Sequence, residues 1–376
     1  VLEALAELIA IHAGGLVAPG PLGGDRDQQG GAEPDRGAPP PWALGRVVRA
    51  ERGAARVVTQ WGEEGSLPAS SGGVLAVGDW VLVLAAGGAE LALVESLPRR
   101  TALVRHGSDA LSDAQVLAAN VDDVLVVLGA DQPKRPARVE RLLALAWGSG
   151  ARPILVLAKA ELLGTAEPLG TAEPLREEAL LEELEALRAV APGVAVIPVS
   201  AHVGEGLDAL RSVLTPGGTA VLLGGSGAGK STLLNALLGG EVVRVGEVRT
   251  GDRRGRHTTA WRELHPLPGG GAVIDTPGLR QLGLSATAGL AEAFADVAAL
   301  AAVCRFSDCH HGSEPGCAVQ EAIAAGLLDP LRLERHEKLE REAAFVARKA
   351  DERARREEQL VWKRRSREAR ARRARY

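Results

Sequence analysis

Residues 224–231 read Gly-Gly-Ser-Gly-Ala-Gly-Lys-Ser, and the fold follows from them. They satisfy G-x-x-x-x-G-K-[ST], a loop whose glycines let successive backbone N–H groups face an anion. The helix that opens behind it adds its dipole at the same point. The context is the required one: the apolar run TAVLLG (219–224) precedes the loop, and an apolar helix starts at Ser231. The nucleotide contacts expected here run through Gly224, Gly225, Ser226, Gly227, Ala228, Gly229, Lys230, Ser231 and Thr232. Lys230 would bridge the β- and γ-phosphates, and the Ser231 hydroxyl would bind Mg²⁺. A chance glycine-rich turn is a poor alternative, because the chain holds only six lysines and one stands at the required place.

Outward from this loop the register is α/β. Strand candidates are VLVVLGA (124–130), PILVLA (153–158), VAVIPV (194–199) and AVID (272–275). Helical stretches lie between them, such as REEALLEELEALRAV, in which Leu180, Leu181, Leu184 and Leu187 are expected on one face. Strands alternating with helices predict a parallel sheet covered on both sides. The hexamer GTAEPL occurs twice in tandem (164–169 and 170–175) and reads as a surface-loop duplication.

Asp275-Thr276-Pro277-Gly278 ends the last strand about fifty residues beyond the phosphate loop. An Asp there reaches the Mg²⁺ shell, and the Gly278 N–H can bind a γ-phosphate, making the next loop a switch. Between the two motifs lies GDRRGRHTT (251–259), where Thr258 or Thr259 would supply a second hydroxyl to Mg²⁺. A transporter-type ATPase shares a similar phosphate loop but needs an LSGGQ-like signature and an acidic pair after an apolar strand. Neither is present, so a GTPase is favoured. The base-specifying segment is found only upstream: Ala158-Lys159-Ala160-Glu161 follows PILVLA, and Ser200-Ala201 follows VAVIPV. Base segment, Ser-Ala, phosphate loop, switch threonine and DTPG is a circular permutation of the usual order, tolerable because a sheet needs its strands side by side and no particular chain start.

Flanking segments have other characters. Residues 1–41 are an extension, a short amphipathic stretch followed by a Gly/Pro/Asp-rich linker. From Trp42 to Arg105, the runs GRVVRA, ARVVTQW, GDWVLVLA and ELALVESL are spaced as in a small antiparallel β-barrel. Cys304-x4-Cys309-x-His311-x5-Cys317 contains every cysteine of the chain and offers a Cys₃His set suited to structural zinc, with His310 as an alternative imidazole. Formal net charge is −4, but Trp362–Tyr376 carries +7, so the basic tail is where an anionic partner would bind. Its arginines fit a phosphate backbone, and few barrel aromatics besides Trp61 and Trp80 are available for base stacking. Glu3 and Glu7 stand where a signal peptide needs basic residues, no apolar run reaches the ~18 residues of a membrane span, and three cysteines make no disulfide framework. A cytoplasmic protein is expected, with no membrane association.

In this order the motifs resemble the ribosome small-subunit-dependent GTPase family (RsgA). VGDWV (77–81), PRRTALVRH (98–106), ANVDDVLVV (119–127), SGAGKSTLLNAL (226–237), RGRHTT (254–259) and CRFSDCHHGSEPGCAV (304–319) carry the resemblance, over roughly residues 42–345. It implies an OB-fold at 42–105, a circularly permuted P-loop GTPase at 106–285 and a helical zinc-binding domain at 286–350, and the basic tail read from its residues follows at 351–376. It also favours His311 over His310 as the fourth zinc ligand. One departure matters: the family pattern flanks the lysine with Asn and Asp, whereas this chain has Ala158 and Glu161. Glu161 keeps a carboxylate for the guanine edge, and a single lost hydrogen bond is worth about 0.5–1.5 kcal/mol, so GTP is still expected to outcompete ATP. Leu279 stands where many GTPases place a water-orienting Gln, which predicts slow intrinsic hydrolysis, with His257 the nearby titratable group able to assist.

The expectation is a monomeric GTPase that binds GTP and GDP. The resemblance supplies its partner, the small ribosomal subunit with its rRNA, and a role in late maturation of that subunit. A non-hydrolysing RNA-binding scaffold and an ATP-driven protein are the alternatives of other classes.

Overall fold

The computed structural model describes residues 42–51, 53–68, 74–87, 90–105, 115–163, 172–243, 262–276 and 289–349. The extension, the 251–259 segment, residues 277–288, the first GTAEPL copy and the basic tail lie outside these. The second copy runs into the helix that begins at Ala172.

Five strands form the first unit: β1 (Trp42–Glu51), β2 (Ala54–Thr59), β3 (Glu64–Pro68), β4 (Trp80–Gly87) and β5 (Glu90–Ser96). β1 pairs with both β2 and β4, and β3 with β5, so the order β1-β2-β3-β5-β4 closes on itself as an OB-like barrel. Alternation along the strands drives closure. Val47, Val57, Leu67, Val81 and Val83 point inward and are fully buried, each worth about 1.5–3 kcal/mol of burial. A hairpin of β6 (Ala102–Arg105) and β7 (Gln115–Ala119) follows, so β6 pairs with β7 and not with the barrel.

The second unit is a six-stranded sheet in the order β10-β9-β8-β11-β13-β12. Its strands are β8 (Asp123–Gly129), β9 (Arg152–Ala158), β10 (Ala195–Val199), β11 (Thr219–Gly224), β12 (Arg262–Pro266) and β13 (Ala272–Asp275). All neighbours are parallel except β12, which runs antiparallel to β13. The apolar runs are buried on both faces, with Val124 and Val126 in one core and Leu125 and Val127 in the other. Helices α1 (Pro136–Gly148) and α2 (Ala172–Val190) cover the first face, α3 (Leu207–Val213) and α4 (Lys230–Leu238) the second. On α2 the expected leucine face is narrower than predicted. Leu184 and Leu187 are buried and Leu180 packs against them, but Leu181 is 53% exposed because it sits about 100° around the helix from Leu180.

The chain lays down β8, β9 and β10 outward in one direction, then crosses back to place β11 on the other side of β8. That reversal makes a crevice at the carboxyl ends of β8 and β11, the position where open α/β sheets bind ligands. The two units are continuous. β12, a strand the sequence reading did not foresee, pairs with β1 through Arg49↔Glu263 and with β13 through Glu263↔Asp275. Beneath this ladder Arg46, 1% exposed, reaches from the barrel to the Asn120 carbonyl and the Thr219 hydroxyl, and its guanidinium lies 4.6 Å over the Trp80 ring. Burial brings the Arg46 guanidinium down to about 10. Gly78 at φ +92° touches the Ala119 carbonyl so closely that any Cβ would collide with it, which explains the glycine of VGDWV.

Helices α5 (Leu290–Ala293), α6 (Ala295–Ala301), α7 (Ala318–Ala324) and α8 (330–349) form the C-terminal unit. It docks on α1 through a buried ion cluster. Arg332 donates to Glu140, Asp296 and the carbonyls of Val190 and Ala293, while Arg335 also grips Glu140, which is fully buried. Among the described residues no helix is long and apolar enough to cross a membrane.

Candidate functional site

The phosphate loop joins β11 to α4, as the spacing predicts. Gly224 lies against the Val127 carbonyl of β8, and a Cβ there would sit 2.4 Å from that oxygen. Gly227 and Gly229 take left-handed φ values of +75° and +99°, which turns the chain tightly into the helix. The Lys230 Nζ donates to the carbonyls of Gly224 (3.0 Å) and Gly225 (2.7 Å), spanning the mouth of the loop. Burial pushes its ammonium below the usual lysine range, against the opposing pull of Asp275.

Asp275 ends β13 beside this loop, 6% exposed, and burial raises its carboxyl above the ordinary Asp range despite the nearby Lys230 charge. Thr276 fixes the strand end by donating its hydroxyl to the Leu222 carbonyl at 2.7 Å. Ser231, Thr232, Ser226 and Ala228 take their places in the loop and the first turn of α4. His257, Thr258, Thr259, Gly278 and Leu279 lie outside the described residues.

The base segment falls where the permuted order requires. β9 and β10 are adjacent and parallel, with Ala158 registered against Val199, so Lys159 and Ser200 emerge side by side. Lys159 is left-handed (φ 61°) and its stem packs beside Gly229, as does the Ala158 methyl. Ala160 and Glu161 continue into a 3₁₀ turn (Ala160–Leu162), and Ala201 follows Ser200. Two buried polar atoms, Glu161 Oε2 and Ser200 Oγ, have no hydrogen-bond partner among the described residues. Buried polar groups are normally paired, so this carboxylate oxygen and this hydroxyl are open to a ligand's polar groups.

The loop between β8 and α1 adds contacts that sequence reasoning missed. Asp131 Oδ2 takes the Lys159 Nζ at 2.7 Å, and Gln132 donates to the Ser226 carbonyl at 3.1 Å. It thereby braces the base segment and the phosphate loop together. The available signal was positional, since this loop follows the strand that neighbours β11 at the switch point.

Cys304, Cys309, His311 and Cys317 converge, with all ligand atoms within 4.8 Å of one another. His311 Nδ1 lies 3.6 Å from the sulfurs of both Cys304 and Cys317, which are 4.0 Å apart. Tetrahedral zinc with Zn–S near 2.3 Å places two sulfurs about 3.8 Å apart, so the donor set fits that ion. His311, at φ 56°, supplies the imidazole, not His310. Of the two tryptophans expected to stack on bases, Trp80 is engaged with Arg46 while Trp61 is 38% exposed.

Comparison with known proteins agrees with this arrangement. Residues 96–285 match the RsgA GTPase family. A relative named small ribosomal subunit biogenesis GTPase RsgA, from Streptomyces coelicolor, is 48% identical over 330 residues, 85% of this chain and 86% of its own. One of the same name from Opitutus terrae is 46% identical over 299 residues, 77% of this chain and 78% of its own. Among solved structures, YjeQ from Thermotoga maritima superposes with TM-score 0.57 at 25% identity, over 81% of this chain and 99% of that one. YloQ, described as a circularly permuted GTPase, gives TM-score 0.54 at 24% identity, over 81% and 95% of the two chains. The phosphate loop and Asp275 placed together on this sheet, the match over residues 96–285 and relatives of such identity lead to one conclusion: the chain belongs to the RsgA GTPase family and is a GTP-hydrolysing enzyme.

Proposed function

We propose that the chain is a GTPase stimulated by the small ribosomal subunit and acting in late maturation of that subunit. One observation carries the enzymatic part: Lys159, Ser200, the phosphate loop and Asp275 stand together at the carboxyl ends of β9, β10, β11 and β13. The names of the relatives support the ribosomal part. In this reading the backbone N–H groups of 224–231 cradle the phosphates, and Lys230 leaves the loop carbonyls to neutralise the terminal oxygens. Glu161 accepts from the guanine edge and Lys159 lays its stem over the ring. Ser231, Asp275 and Thr258 or Thr259 would hold Mg²⁺; their hard oxygen donors suit it, and it would supply positive charge against the phosphates. Water attacks the γ-phosphorus as the bond from that phosphorus to the β–γ bridging oxygen breaks, giving GDP and inorganic phosphate that takes up the water's protons, with His257 the candidate to orient the water.

The three units divide the labour. The barrel (42–105) and the basic tail (351–376) would contact rRNA, the central unit (106–285) binds GTP, and the C-terminal unit (286–350) is held by zinc on Cys304, Cys309, His311 and Cys317. Metal analysis of freshly purified protein should find about one zinc per chain, and less than about half an equivalent would overturn this. The protein acts as a monomer in the cytoplasm.

The test of function is phosphate release from GTP and from ATP, with and without purified small subunits. Strong stimulation of GTP hydrolysis alone is expected, with little hydrolysis of ATP. No stimulation with either nucleotide would sink the proposal and favour an RNA-binding scaffold.

A further inference from the structure

Arg138 lies in the first turn of α1, just after the loop that braces the phosphate loop. Its guanidinium rests on Gly225: a Cβ at that residue would stand 2.2 Å from the Arg138 Nη2 and 3.2 Å from its Cζ. Gly225 occupies a free position of the phosphate-loop pattern. It is also absent from the glycines with left-handed φ, so the backbone does not demand glycine there. What the missing side chain provides is a seat for the guanidinium.

The charge balance around that seat is uneven. Nearby Lys134 and Arg141 are each bonded to a carboxylate, Glu183 and Glu342. Arg138 has no carboxylate partner among the described residues, although it is exposed and near Lys230. After burial, its positive charge is a further influence holding the Lys230 ammonium below its usual range. Two cations therefore converge on one glycine-rich loop, an arrangement that is unfavourable until an anion arrives between them. The guanidinium lies on a shallow groove lined in part by Gly129, Gln132, Pro133 and Gly225.

We propose that Arg138 is a second phosphate-binding cation of the site, contacting the terminal phosphate of the bound triphosphate from α1. The assignment rests on the GTPase reading and deepens it. An arginine in this role acts where charge spreads over the transferring phosphoryl oxygens, so it distinguishes triphosphate from diphosphate. Gly225 then matters indirectly, by keeping the guanidinium against the loop.

The experiment is titration of the full chain with fluorescent GDP and with a fluorescent non-hydrolysable GTP analogue. Wild type, Arg138→Ala, Arg138→Lys, Gly225→Ala and the double variant Arg138→Ala/Gly225→Ala are compared. Arg138→Ala should weaken the triphosphate analogue about tenfold while GDP changes less than about twofold, the size expected of one charge-assisted contact. Arg138→Lys should recover part of the loss. Gly225→Ala should weaken the analogue similarly by displacing the guanidinium, and the double variant should lose no more than either single one. Equal losses for both nucleotides would reduce Arg138 to a prop for the loop and overturn the assignment, as would no loss. A wild-type chain that binds neither nucleotide would overturn the GTPase reading itself, and this assignment with it.

Discussion

Replacing Lys230 with alanine is expected to lower subunit-stimulated GTP turnover by about 100-fold or more, the range seen when one preorganised donor to a developing charge is removed. The structure gives the reason. The Lys230 ammonium is half-buried, held at the loop mouth by two carbonyls, and lies within reach of the Asp275 charge on β13. Those carbonyls keep the ammonium at the loop mouth in the free chain, and it exchanges them for terminal phosphate oxygens when nucleotide binds, so its charge is in place when negative charge moves onto the phosphoryl oxygens. Lys230→Arg should not rescue, because a planar fork cannot replace a compact point charge inside a loop built by Gly224, Gly227 and Gly229. Single-turnover phosphate release checks this. Activity within about tenfold of wild type would mean that the positive charge at this site comes mainly from elsewhere.

Arg332→Ala is the second large expected effect, and it acts on stability. Arg332 is 4% exposed and forms a hub: it bonds Glu140 of α1, Asp296 and two main-chain carbonyls, with its guanidinium 4.8 Å over the Phe294 ring. Asp296 shows how closely the cluster is balanced. Burial pulls its carboxyl upward, yet its bonds to Arg332 hold it below the usual range. Removing the arginine strands a buried charge and two carbonyls, and breaking such a pair from one side costs about 3–5 kcal/mol. Arg335 still holds Glu140, which should keep the loss from being larger. Urea unfolding of the full chain should show the transition shifted to lower denaturant by that amount, with 289–349 becoming sensitive to protease. A loss under about 1 kcal/mol would show that apolar contacts such as Val297 and Leu333 carry the docking alone.

The chemistry was legible in the sequence because its motifs are local. GGSGAGKS, AKAE, Ser200-Ala201 and the Cys/His spacing each name their own geometry, and the order of strands follows from apolar runs buried on both faces. What the sequence hid depends on distant partners. Nothing in RELHP (262–266) marks it as a strand, because a strand that joins two units takes its identity from neighbours at Arg49 and Asp275. Asp131, Gln132 and Arg138 look like ordinary loop and helix-start residues until β8 is set next to β11. Leu181 was misplaced for the opposite reason, since a leucine cluster reads as a face even where the helix turns one member outward. Likewise Glu140, Arg332 and Arg335 read as surface charges of helical segments, and only their docking makes them a buried cluster.

The strand β12 is hydrogen-bonded on both sides, and its two registers meet at one residue: Glu263 stands opposite Arg49 of the barrel and opposite Asp275 of the phosphate site. Two strand spacings, about 10 Å, therefore separate a barrel residue from the carboxylate that ends β13. Because a slip of one residue would turn every β12 side chain to the other face, neither register can change without the other. A load applied to the barrel at Arg49 reaches the strand of Asp275 through two rows of backbone hydrogen bonds, with no loop between them to absorb it.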